Sequence, residues 1–231
     1  MNLFFADPKD IQHKSLIIRG QEAEHIIKVL RHSVGDVIFV TDGKRKKYEC
    51  IIRDFKKSMV FLDILDIEES MQSPAVILCM GVIKKRDRLE FAVEKAVELG
   101  VSKIILFKGE HSQKGNVRED RLESTAISAM KQSLRFHLPQ IIIENSLEES
   151  VSNHSDNYHI IVADETKAEF DECTFNRDKN YFLIVGPEGG FSKSEREFLK
   201  SIKAEYYSLG KKRLRTETAA VVMVDRFVNQ K

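Results

Sequence analysis

At 231 residues with 42% hydrophobic side chains, the chain can fill one large core or two smaller ones. Its 37 Lys and Arg against 36 Asp and Glu leave a net charge of +1, which excludes a global pull toward nucleic acid or membrane and leaves such attraction to local clusters. The apolar runs are too short to cross a bilayer, and "MNLFFADPKD" lacks the basic start and apolar core of a signal peptide, so a cytoplasmic protein is expected.

Residues 1–70 read as mostly β. "SLIIRG", "DVIFVTDG", "KKYECIIRDF" and "MVFLDILDI" are β-rich runs separated by turn signals, with Asp42-Gly43 a hairpin candidate. One helix interrupts them: "QEAEHIIKVLRH" places Ala23, Ile26, Ile27 and Leu30 on one face, with Lys28, Arg31 and His32 toward its basic end. A small barrel with one helix is the simplest arrangement. "EESMQSP" breaks the pattern, and a second domain is expected over residues 74–231.

There the texture changes to strands alternating with helices. "AVILCMGVI" is an apolar run suited to a strand buried on both faces, and a helix over residues 86–99 is closed by Gly100. "KIILF", a helix around 119–134, "QIIIE", "YHIIVAD", "YFLIVG" and "AEYYSL" follow, and a last helix begins near Thr216. This order predicts an α/β domain with a mainly parallel sheet.

Three loops follow late strands: "ADETK" at 163–167, "GPEGGFSKSE" at 186–195 and "LGKKRLRTET" at 209–218. Ligands of open α/β sheets sit beyond the carboxyl ends of strands, so these loops are the candidate site. The glycines of the second loop allow close backbone approach, and Ser192-x-x-Glu195 or Ser194-x-x-Glu197 can box the start of the next helix. Neither G-x-x-x-x-G-K-[ST] nor G-x-G-x-x-G occurs, and Glu188 would repel a polyphosphate but suit a ligand with positive charge or hydrogen-bond donors. Cys50, Cys79 and Cys173 fit reduced, packed thiols, and His13, His25, His111, His137, His154 and His159 show no ligand spacing, so no metal is expected.

"LIVGPEGGFS", "LGKKRLRTETAA" and "KKRDRLEFAVEKAVELGVSKII" together resemble the SPOUT-class RNA methyltransferases, in particular the ribosomal RNA small-subunit methyltransferase E family; "HIIKVLRHSVGDVI" is similar to that family's PUA-like barrel. The resemblance implies a SPOUT-type knotted α/β domain preceded by a small PUA-like β-barrel domain. It implies a homodimer that uses S-adenosylmethionine to methylate N3 of a uridine in 16S ribosomal RNA, free or in the assembled small ribosomal subunit, with no membrane partner. Carried over, Gly186, Glu188 and Gly189 form one wall of the cofactor pocket and Leu209, Gly210, Leu214 and Thr216 the other. The family often has Pro where this chain has Lys211, and Thr where it has Val97.

The chemistry asks for a base or a positive charge at N3, because that nitrogen carries a proton at neutral pH. Arg215 is the candidate for stabilising negative charge, and Glu217 for accepting the proton or orienting Arg215, with Glu188 a competitor. Thr216 is also a fair N-cap for the last helix. RNA capture is assigned to Arg19, Lys28, Arg31 and His32, to Lys44 and Arg45 within the "KRKK" hairpin tip at 44–47, and to Lys211 and Arg213. The Lys84, Lys85, Arg86 and Arg88 cluster reads either as a solvated face or as part of such a surface. Two other functions share these residues: methylation of another RNA or base atom, and a non-catalytic role in ribosome assembly.

Overall fold

The computed structural model describes residues 2–70, 74–112, 117–164, 176 and 178–229. Cys173, residues 165–167 of the "ADETK" loop and residues 71–73 of the boundary segment lie outside the described residues. The chain forms two compact units, the first of residues 1–71 and 127–138 and the second of residues 72–126 and 139–231.

The first unit contains β1 (Leu3–Phe5), β2 (Ser15–Arg19), α1 (Gly20–Glu24), β3 (Val37–Thr41), β4 (Lys46–Lys56) and β5 (Met59–Glu69), in the sheet order β1-β3-β4-β5-β2. The sheet alternates as its sequence does: Ile38 and Val40, Tyr48, Cys50 and Ile52, and Val60 and Leu62 all turn into one core. Ala23 and Ile26 close that core from the helical side, and Ile27 and Leu30 pack at its margin. Two bulges in the β4 and β5 pairing, at Glu49/Cys50 and Ile52/Asp54, bend these long strands. β1 and β2 are the two edges, so the barrel is open.

Two details depart from expectation. The helix is shorter than its apolar pattern: residues 25–29 wind as a π-type turn, and Arg31 takes a positive φ of 56°, so Arg31 and His32 lie beyond the helix. The hairpin tip is covered rather than free. Residues 136–138 run against it, with the Arg45 amide donating to the Phe136 carbonyl at 2.6 Å and the Leu138 amide to the Gly43 carbonyl at 2.8 Å.

The second unit contains β6 (Val76–Gly81), α2 (Arg86–Leu99), β7 (Lys103–Phe107), β8 (Gln140–Glu144), α4 (Leu147–His154), β9 (His159–Ala163), β10 (Tyr181–Val185), α5 (Lys193–Ser201), β11 (Glu205–Tyr207) and α6 (Thr216–Val228). The helix α3 (Glu119–Gln132) has its first half in this unit and its second half in the other. All six strands are parallel, in the order β11-β9-β10-β6-β7-β8. β6 and β10 are central and buried at every residue, which is why both read as unbroken apolar runs. Strand order reverses between them, and that switch point directs attention to their carboxyl ends.

Helix ends follow local chemistry. Gly100 stops α2 at φ 105°, its amide donating to the Ala96 carbonyl at 3.0 Å. Ser192 and Glu195 form the reciprocal capping box of α5. α6 starts differently from expectation: Arg215 is the N-cap residue and makes no side-chain cap, while Thr216 is the first helical residue and is buried.

Candidate active site

A pocket of about 370 Å³ opens beyond the carboxyl ends of β9, β10 and β11. Ala163 and Asp164 come from the end of β9, Val185 from the end of β10, and Gly186, Pro187, Glu188 and Gly190 from the loop after it. Leu209, Gly210 and Leu214 come from the loop after β11, and Arg215, Thr216 and Glu217 from the mouth of α6. The two loops expected to form opposite walls therefore do line one pocket. Gly210 sits at φ 128°, and among the described residues no atom lies within 4 Å of where a Cβ would stand.

Gly189 is the exception. It does not line the pocket; its missing side chain admits His111, whose Cβ and carbonyl oxygen would lie 2.8 and 2.9 Å from a Cβ. The close approach that the paired glycines signal is real, and at Gly189 it is made by His111.

Arg88 is the residue that sequence reasoning left unassigned. From the first turn of α2 its Nη1 lies 3.3 Å from Glu188 Oε1, and its Nε lies 3.5 Å from Glu217 Oε1. It lines the pocket with both carboxylates. The second oxygen of Glu188 accepts from the Lys84 amide at 3.4 Å. Glu217 Oε2 is buried and, among the described residues, has no hydrogen-bond partner. Glu217 is thus held by Arg88, and the expected orienting contact with Arg215 is absent: among the described residues Arg215 makes no ion pair and is exposed. A basic residue one turn before an apolar helix face was the available signal for Arg88, but it belonged to a run of four such residues.

A second charged group closes another part of the pocket. Arg196 Nη1 lies 2.7 Å from Asp164 Oδ2, and its guanidinium stands 5.9 Å from the centre of the Phe191 ring. Asp164 is buried, so this pair is a fixed feature rather than a loose surface contact. Phe191 in turn packs on Gly186, where a Cβ would be 3.2 Å from the ring.

The residues assigned to RNA capture divide. In the first unit Arg19 is tied to Asp10 at 2.8 Å, His32 to Asp36 at 2.9 Å, and exposed Lys28 to Glu24 at 3.1 Å. Arg31 is exposed and, among the described residues, unpaired. Lys44 is exposed, while the Arg45 backbone is engaged by Phe136. Lys47, in the same basic run, is bound to Glu68 and lies 5.6 Å from the centres of the Phe39 and Phe136 rings. In the second unit Lys211, Lys212 and Arg213 are exposed, Lys212 and Arg213 at the pocket itself.

Comparison with known proteins fits this architecture. An RNA methyltransferase domain matches residues 71–228, and an RNA methyltransferase PUA domain matches residues 18–65. The chain belongs to the RNA methyltransferase family. It is 27% identical over 231 residues to the ribosomal RNA small subunit methyltransferase E of Buchnera aphidicola, covering 96% of this chain and 90% of that one. Among solved structures, a probable rRNA-methyltransferase from Porphyromonas gingivalis superimposes with a TM-score of 0.88 at 30% identity, covering 97% of this chain and 96% of that chain. A ribosomal RNA small subunit methyltransferase E from Neisseria gonorrhoeae, bound to S-adenosyl methionine, gives a TM-score of 0.83 at 24% identity, with 97% and 95% covered; at that identity the likeness concerns the fold.

Proposed function

We propose that the protein methylates N3 of a uridine in small-subunit ribosomal RNA, with S-adenosylmethionine as donor. The observation that carries this reading is the pocket built by the loops after β10 and β11 at the mouth of α6. Its residues fit the cofactor. The volume lies in the range of small-molecule sites. Val185, Leu209, Leu214 and Ala219 offer apolar surface and Gly186 and Gly210 bare backbone, which suits an adenosine. Asp164 with Arg196 offers opposite charges for an amino-acid zwitterion, and the orphaned Glu217 Oε2 offers an acceptor.

When bound, S-adenosylmethionine supplies a methyl group on a positively charged sulfur. Arg215, exposed at the pocket, is the candidate for stabilising the uridine with positive charge as its N3 proton leaves. Glu217 is the candidate acceptor for that proton, and Glu188 the alternative; Arg88 holds both. Positioning of the two substrates supplies a large share of the acceleration.

The chain divides functionally near residues 70–74, with the N-terminal domain capturing RNA through Lys28, Arg31 and Lys44, and Lys211 and Arg213 holding phosphates beside the pocket. The protein works in the cytoplasm as a homodimer. Val221, Val222 and Val228 of α6 are only partly buried, and a second subunit would cover them.

The test is methyl transfer from labelled cofactor to small-subunit ribosomal RNA and to the assembled subunit, followed by mass mapping of the modified nucleoside. 3-Methyluridine in that RNA supports the reading. A different modified base or RNA replaces the substrate assignment. Absence of transfer despite cofactor binding favours a role in assembly.

A further inference from the structure

The charges around the pocket are not evenly balanced. Three elements place a group at one wall: Arg88 from α2, Glu188 from the loop after β10 and Glu217 from α6. Two carboxylates therefore share one guanidinium. The Glu217 side chain is only 8% exposed, and among the described residues its Oε2 has no hydrogen-bond partner. A buried carboxylate oxygen left in this way costs free energy until a donor or a positive charge reaches it. The N-terminus of α6 favours the charge on Glu217 but does not give Oε2 a donor.

The other charged groups of the pocket are either paired or exposed. Arg196 is matched by Asp164 at 2.7 Å. Lys212, Arg213 and Arg215 are exposed, where water and salt weaken their field; Arg88, Glu188 and Glu217 are less exposed and less screened.

We propose that the Glu188, Arg88 and Glu217 wall distinguishes the charged methyl donor from the neutral thioether left after transfer, by keeping one net negative charge on that wall. The inference rests on the cofactor reading above. In the transfer the bond from sulfur to methyl breaks with its electron pair left on sulfur, the N3 pair of the uridine takes the methyl, and the N3 proton passes to a base. The ligand thereby loses its positive charge and its attraction to the wall, which favours exchange of spent cofactor for fresh. Arg88 acts here as a positioning residue, setting both the place of the carboxylates and the size of the net charge.

The experiment is calorimetric titration of the full chain with S-adenosylmethionine and, separately, with S-adenosylhomocysteine, at physiological ionic strength. The readout is the ratio of the two Kd values. Glu188→Gln and Glu217→Gln, which remove charge but keep shape, should each cut the preference for the charged ligand by about threefold to tenfold. Arg88→Met should enlarge it by a similar factor, and Arg88→Lys should leave it near the wild-type value. Opposite signs for the two kinds of substitution are not expected of damage to the fold. Should Arg88→Met fail to fold, Glu188→Gln, the most exposed of the three sites, decides the matter. Variants that weaken both ligands equally overturn the inference and leave the cofactor reading standing. A wild-type protein that binds neither ligand overturns the cofactor reading and the inference with it.

Discussion

Gly81 and Pro187 lie so close that a Cβ on the glycine would stand 2.5 Å from the proline nitrogen and 2.7 Å from its Cα. Gly81 is the last residue of β6, and Pro187 is the second residue of the pocket loop after β10, so the absence of one side chain sets where that loop runs. Both obstacles are backbone and cannot swing aside. Gly81→Ala should therefore destabilise the protein by about 2 kcal/mol, as overpacking does, and weaken cofactor binding at least tenfold in the fraction that folds. Urea unfolding with calorimetry checks both. A variant as stable as wild type with unchanged binding would show that the contact is not tight in solution.

Gly189 and Gly210 should respond differently to the same substitution. Gly189→Ala meets the Cβ and carbonyl of His111, so it should lower stability by about 1–3 kcal/mol and disturb the pocket only indirectly. Gly210→Ala meets no atom of the described residues within 4 Å but must hold φ near 128°, a region that L residues rarely enter. Its cost should be backbone strain of about 1–3 kcal/mol and a displaced pocket wall, with cofactor affinity falling more than stability does. Comparing thermal midpoint with Kd for both variants separates the two cases.

The glycines also show how far the sequence could be read. Alternation and apolar runs give the strands, because burial on one face or two leaves a direct mark, as in β4 and β6. The Ser192 and Glu195 box was legible because both partners are local. β1 and α4 were not predicted: β1 spans three residues, and α4 covers eight with only Leu147, Ser150 and Val151 buried. The site was legible as loops but not as contacts. Arg88 and Glu188 are 100 positions apart, and their pairing depends on which strands are neighbours. The Thr216 cap failed for a related reason, since packing at the helix mouth buries that residue.

The buried thiols predict a pH dependence. Burial, with smaller contributions from Glu49 and Asp63, pushes the Cys50 thiol up to about 12, and burial raises Cys79 as well. A thiol whose folded pKa lies above its unfolded value of about 8.5 contributes stability that is complete below that value and is lost as pH climbs toward the folded one. Cys50→Ala should therefore cost more at pH 7 than at pH 10, as measured by urea unfolding. In a Cys173→Ser background, iodoacetamide should label neither remaining cysteine at pH 8 until the protein unfolds. Fast labelling of the native form would rule out the burial described.

Assembly is best tested away from the subunit core. Met223 is fully buried within its own subunit beside Val224 and Phe227, so a charge there would disrupt folding whether or not a dimer exists. Val221 and Val222 are partly buried and tolerate substitution better. Val221→Glu with Val222→Glu should convert a sedimenting dimer to a soluble monomer with a thermal midpoint within a few degrees of wild type. Wild-type protein that sediments as a monomer at micromolar concentration would end the dimer proposal.

Capture and chemistry should separate in kinetics. Lys28 and Arg31 are exposed and lie at and just beyond the end of the helical segment in the first unit, whereas Arg215 lines the pocket in the second. Replacing Lys28 and Arg31 together by Ala removes two candidate phosphate contacts. RNA affinity should fall severalfold to tenfold, and the salt dependence of binding should flatten by about two contacts' worth. Cofactor binding and the rate at saturating RNA should stay the same. Arg215→Ala should do the reverse: single-turnover methyl transfer at saturating RNA should slow by about a hundredfold, because the lost interaction is made with charge that develops in the transition state. Single-turnover transfer over a range of RNA and salt concentrations measures all of these quantities. A double variant with wild-type affinity and salt slope would remove this helix end from the capture surface. An Arg215→Ala enzyme that loses RNA affinity but transfers methyl normally once saturated would make Arg215 a phosphate contact, leaving charge stabilisation at the uridine to Arg88 or to the exposed Lys212 and Arg213.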